Sequence, residues 1–135
     1  MKNVAKVALI SILSLFVLAG CGSNSAESAA VGFYEAMQKG DVDKYKKLST
    51  SNTQGVMAFA FGMKCMGQNL DDDKVLSSCM KETADYSKVE VVSVDEKSEN
   101  LSIVTLSIHG DDGNVKEEQV KVKKVDNDWK VDISK

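Results

Sequence analysis

The 135 residues include no proline and one histidine, His109, and aromatic residues make up only 6% of the chain. The missing proline is unusual for a loop-rich fold but decides little. The scarcity of histidine decides more. With no second histidine and no Cys-x-x-Cys pair, a zinc ligand set is excluded. Asp71-Asp72-Asp73 lacks the glycine-containing loop and the distal glutamate of a calcium hand, so it reads as acidic charge at a helix start. Asp111-Asp112-Gly113-Asn114 reads as a turn. No metal and no cofactor is expected. Basic residues form no run and have no aromatics between them, and the formal net charge is −3. These features argue against nucleic acid as a partner. There is no internal repeat and no low-complexity block.

General acid–base chemistry also has little to work with. His109 sits beside Gly110 at a strand end, the usual place for a solvated histidine. Asp85 and Tyr86 stand just before the first strand and are the one donor–acceptor pair in view. Most other acids fall in turns, helix starts or exposed strand faces. The expectation is therefore a non-catalytic chain.

What the sequence does contain begins at its N-terminus. Lys2 and Lys6 precede an apolar run from Val7 to Ala19, interrupted only by Ser11 and Ser14. The run is shorter than the roughly 20 residues a spanning helix needs. It ends in Leu18-Ala19-Gly20-Cys21. Residues 1–21 resemble bacterial lipoprotein signal sequences, and these four residues resemble the lipobox. The resemblance implies cleavage between Gly20 and Cys21 and lipidation of Cys21, with residues 1–20 as signal peptide and 21–27 as a lipidated tether. More than one acyl chain makes a stable anchor. The membrane is thus an expected partner, and the cell envelope the expected location. Gly22 stands where aspartate implies retention in the inner membrane. For a host with two membranes, the resemblance therefore favours the outer membrane, facing the periplasm.

Loss of the first 20 residues leaves 115 and takes two lysines away, moving the net charge from −3 to −5. Residues 28–135 are expected to form one acidic domain. Its first half has helical spacing. Ala26, Ala29, Ala30, Phe33 and Met37 make one stripe, with Ser25 as a cap and Gly40 as a left-handed stop. Asp41 is placed to cap a second helix carrying Val42, Tyr45 and Leu48. A third helix is expected over about 53–66 and a fourth after Asp71–Asp73. From Val89 the apolar spacing becomes two. Val89, Val91 and Val94, with Val92 out of phase, suggest a strand with a slip or bulge. Leu101–Ile108, Val120–Val125 and Trp129–Ile133 suggest three more, with turns at Asp111–Asn114 and Asp126–Asp128. Helices followed by antiparallel strands define an α+β class, with helices on one face of a sheet of about four strands.

Two segments carry a second resemblance. Ala30-Val31-Gly32-Phe33-Tyr34-Glu35-Ala36-Met37-Gln38-Lys39-Gly40-Asp41 resembles the opening of small bacterial lipoprotein domains in the nuclear-transport-factor-2-like superfamily. Val122–Asp132 resembles their final hairpin. The resemblance implies a curved sheet wrapped around helices as a cone with a cavity. Some members of the superfamily are isomerases or dehydratases, which makes an isomerase-type enzyme the alternative to a binding module. Residues 51–86 match neither segment.

With Cys21 assigned to lipid, Cys65 and Cys79 are the remaining thiols. An even pair in an exported protein is usually a disulfide; the alternative is two buried free thiols. Between these landmarks, Val56, Phe59, Phe61 and Met63 make the third helix apolar on more than one side, among methionines that make adaptable contacts. These four residues are the expected binding face, for an envelope protein or a small apolar ligand. A structural accessory of an envelope assembly is a further alternative.

Overall fold

The computed structural model describes residues 25–133; the lipobox and Cys21 lie outside them. Four helices precede four strands: α1 (Ala26–Lys39), α2 (Val42–Lys47), α3 (Ser51–Lys64), α4 (Asp73–Thr83), β1 (Tyr86–Ser98), β2 (Leu101–Gly110), β3 (Val115–Val125) and β4 (Asp128–Val131). The strands form one antiparallel sheet in the order β1-β2-β3-β4, and the helices pack against it. This is the α+β class expected from the change of period.

Local chemistry sets the helix ends. The Ser25 hydroxyl accepts from the Ser28 amide at 3.2 Å, so α1 starts at Ala26, within the stretch assigned to the tether. At its other end Gly40 has φ +67°, and the Asp41 amide donates to the Ala36 carbonyl at 2.8 Å. Here glycine is required twice over. The left-handed backbone disfavours a side chain, and a Cβ would press on the Ser77 hydroxyl and lie 2.8 Å from the Ser77 carbonyl oxygen. Asp41 then caps α2 by accepting from the Lys44 amide at 3.1 Å.

In the sheet, β2 alternates cleanly: Ser102, Val104, Leu106 and Ile108 face the helices, while Ile103, Thr105, Ser107 and His109 face away. A register shift between Val91 and Ser93 leaves Val92 as the bulged residue, as its out-of-phase position in sequence implies. Asp126 and Asn127 both have positive φ, 51° and 67°, the pattern of a tight hairpin turn. The stripe of α1 (Ala26, Ala29, Ala30, Phe33, Ala36 and Met37) packs with Val104, Leu106, Ile108, Val120, Val122 and Val131 into one apolar cluster. Side chains thus fill the space between α1 and the sheet. The open edge of β4 is covered by the segment before α3: the Val131 amide donates to the Leu48 carbonyl at 2.7 Å, and the Thr50 amide to the Val131 carbonyl at 3.0 Å.

Some boundaries differ from the sequence pattern. Helix α3 runs two residues earlier than expected, because Thr50 caps it. Strand β1 begins at Tyr86 rather than Val89, because Tyr86 is a core residue at 8% exposure. Residues 51–83 hold α3 and α4, joined by a Cys65–Cys79 disulfide with 6.1 Å between Cα atoms. Such a bond suits an oxidising compartment outside the cytoplasm. Among the described residues, no helix is long and apolar enough to cross a membrane.

Candidate functional site

Helix α3 holds the face of interest. The Thr50 hydroxyl caps it, accepting from the Thr53 amide at 3.2 Å. One stripe turns inward. Thr53, fully buried, donates its hydroxyl to the Val131 carbonyl at 2.8 Å and accepts from the Ile133 amide at 2.8 Å. Met57 is half-buried, and Phe61, at 1% exposure, packs on the Tyr45 ring with centroids 6.1 Å apart. Cys65 follows one turn later and is tied to α4 by the disulfide. Thr53, Met57, Phe61 and Cys65 are spaced by four, a single line on a helix.

The opposite stripe faces outward and is also apolar. Val56 is 49% exposed, Phe59 72%, Met63 65% and Met66 79%. No charged residue lies between Ser51 and Met63. Above Gly55 and Gly62 the space is open, with nothing within 4 Å of a Cβ placed there. Burying one such large side chain is worth about 1.5–3 kcal/mol, so the isolated fold leaves a sizeable driving force unused. Interaction sites are commonly found on contiguous exposed apolar surface.

Three of the four expected binding residues, Val56, Phe59 and Met63, therefore share the exposed face. Phe61 does not. Two residues on an α-helix are turned about 200° apart, so exposing Phe59 buries Phe61. The deciding signal is Cys65: it lies one turn beyond Phe61, and its bond to Cys79 fixes that stripe against α4. Met66, two residues past the end of α3, extends the exposed apolar surface.

A second cluster lies at the far end of the sheet's inner face. The Tyr86 hydroxyl donates to the Tyr34 carbonyl at 2.6 Å, and the Tyr34 hydroxyl donates to Glu118 Oε1 at 2.9 Å. Lys116 Nζ stands 3.7 Å from Glu118 Oε2. Burial first, then the Glu118 charge and its hydrogen bond, push the Tyr34 phenol well above its ordinary value. Burial, then the charges of Asp85 and Glu118, do the same to Tyr86. Burial raises Tyr45 to about 12. Both hydroxyls of the Tyr34–Tyr86 pair are engaged as donors, and both phenols are held protonated. His109 lies on the other face of the sheet, with Nε2 3.7 Å from Glu90 Oε2. The Lys88 ammonium, by hydrogen bond and charge, holds the Glu90 carboxyl below its ordinary range, and His109 adds to this. His109 therefore cannot act together with Tyr34, Tyr86 or Glu118.

These phenols make a pH prediction. Tyr34, Tyr45 and Tyr86 are the only tyrosines in the chain. Each has a folded value above the ordinary 10.0. A group raised in the fold stabilises fully below its unfolded value, and that contribution is lost as pH climbs through the folded one. Stability should hold up to about pH 10 and then fall steeply. Phenolate absorbance followed beside circular dichroism should show all three tyrosines ionising with unfolding; a tyrosine ionising near pH 10 in the folded chain would contradict the burial.

The acidic runs have structural work. Asp72 caps α4, accepting from the Lys74 amide at 2.8 Å, and Asp73 pairs with Lys46 at 3.2 Å. Asp112 accepts from the Asn114 amide at 3.0 Å within its turn. Among the described residues, no group of three or more histidine, cysteine or acidic side chains is arranged to hold a metal ion.

Comparison with known proteins adds a family. Residues 19–132 match the model described as "Domain of unknown function (DUF4878)", and the chain belongs to that family. No curated protein matches it. A solved structure from Campylobacter jejuni, described as a "Putative NTF2-like transpeptidase", is similar over 78% of this chain and 94% of that one, with 12% identity and a TM-score of 0.48.

Proposed function

We propose that this DUF4878 protein is a lipid-anchored component of the bacterial cell envelope whose domain is a non-catalytic binding module. Its contact face is the outer stripe of α3. The observation that carries the binding role is the exposure of Val56, Phe59 and Met63 on α3, with Met66 two residues past its end, along a stretch from Ser51 to Met63 that holds no charge. Exposed apolar side chains gathered on one element in this way leave a surface open for something outside the chain.

The anchor rests on Leu18-Ala19-Gly20-Cys21 after a short apolar run. The disulfide supports the same side of the membrane, since it needs an oxidising compartment. Gly22 in place of aspartate favours the outer membrane of a host that has two. The non-catalytic reading draws on the tyrosine pair, whose hydroxyls are committed to internal acceptors. The anchor has a direct test. Globomycin, or Cys21→Ser, should leave a precursor that keeps residues 1–20, read by intact mass. A mature product of unchanged mass under both treatments would remove the lipoprotein reading.

A further inference from the structure

We infer that the outer stripe of α3 lies in the interfacial layer of the same membrane that holds the anchor. The domain then touches the bilayer twice, through the acyl chains on Cys21 and through Val56, Phe59, Met63 and Met66. This inference rests on the anchored reading above and names the partner of its contact face.

The tether comes first. Only Gly22, Ser23 and Asn24 separate Cys21 from the Ser25 cap of α1. Extended chain spans at most about 3.3–3.6 Å per residue, so Ser25 stays within roughly 14 Å of the anchored residue. A tether this short presents the domain surface to the headgroups at a high effective concentration, and a weak surface affinity then suffices.

The chemistry of the stripe suits that layer. From Ser51 to Met63 there is no charge to desolvate, and the four outer side chains are large and apolar. Lysines stand at both ends. Lys64 closes α3 in its last turn. At the N-terminal end, Gln54 of α3 donates to the Lys46 carbonyl at 3.0 Å, and Lys130 donates to the Lys47 carbonyl at 2.9 Å. Lys47 and Lys64 have exposed side chains; Lys46, also exposed, is paired with Asp73. An apolar ridge with cations at its ends, on a domain that is acidic elsewhere, complements an anionic lipid surface.

Area decides against a second copy of the chain. The four side chains expose on the order of 500 Å², in the range of the largest apolar patch on a typical monomer, which is often functional. A stable dimer uses about 800 Å² from each partner. A ridge one helix wide does not reach that, whereas an interfacial helix needs only a stripe. The consequence is orientation: one lipid on a short tether leaves the domain free to turn, and a second contact fixes it.

The test uses the full lipidated chain in vesicles of phosphatidylethanolamine and phosphatidylglycerol with brominated acyl chains. Phe59→Trp puts an indole on the stripe and is read as a difference from the unaltered chain, whose Trp129 lies on β4. The introduced indole should lose most of its emission to the bromines, while Trp129 keeps its own. Adding Val56→Asp with Met63→Asp, at exposed positions that the fold does not need, should restore the emission while the protein still sediments with the vesicles. An unquenched indole at position 59 in a chain that sediments overturns this inference and leaves the anchor standing; that result includes an indole covered by a second copy or another protein. A chain whose Cys21 carries no lipid overturns the anchor and this inference together.

Discussion

Phe61→Ala is expected to cost about 3–5 kcal/mol of folding stability, the usual range for truncating a buried aromatic. Phe59→Ala, two residues away, is expected to change stability by no more than about 0.5 kcal/mol. The two side chains are chemically identical, and only their burial differs: 1% exposure for Phe61 and 72% for Phe59. Phe61 fills space between Tyr45 and the α3–α4 contact, so its loss leaves a cavity that the disulfide prevents from collapsing. Urea unfolding of both variants, in the same background, measures the difference. Equal losses would mean that α3 is rotated from the orientation described, and the exposed stripe would lose its basis.

Removing the disulfide has the second large effect. Cys65 and Cys79 are 14 residues apart in sequence, and closing a loop of that size is worth about 3 kcal/mol in the chain-entropy model. For a domain of this length that corresponds to a fall of roughly 10–20 °C in Tm. Cys65→Ala with Cys79→Ala should show that fall, and reductant should add nothing further to the double variant. The loss should be local before it is global. Helix α3 is held inward mainly by Thr53, Met57, Phe61 and the disulfide, so its amides should lose protection from hydrogen exchange while β2 keeps its own. Two free thiols in the exported protein, counted by mass spectrometry under non-reducing conditions, would contradict the bond.

How far the sequence could be read depends on whether one face of an element is polar. Helix α1 has a single apolar stripe, and all five of its expected residues are buried. The strands are equally plain. Val120 and Val122 face the core, and Val92 falls at the bulge where its phase breaks. Helix α3 is different because both of its stripes are apolar. Periodicity establishes the helix but not its inward side, and it groups Phe61 with residues it opposes. Cys65 carries the missing information, since a disulfide fixes one stripe against its partner helix. The tyrosine cluster was hidden for another reason. Counting back by twos from Val122 reaches Glu118, so a charge on the inner face follows from alternation alone. Its partner Tyr34 is 84 residues away, and no local pattern connects them. The start of β1 is not legible in the sequence because Tyr86 stands alone before the valine run, with its hydroxyl held by the Tyr34 carbonyl of α1.

Methionine oxidation in intact membranes tests the central claim most directly. In the bare domain Met63 is 65% exposed, whereas Met37 and Met80 are buried at 5% and 0%. Peroxide should therefore oxidise Met63 as fast as in the urea-unfolded chain unless something covers it. The account predicts that in membranes Met63 is protected alongside Met37 and Met80, because the outer stripe of α3 is in contact there. Met63 oxidised in membranes at the rate of the unfolded chain, with Met37 and Met80 still protected, would contradict it.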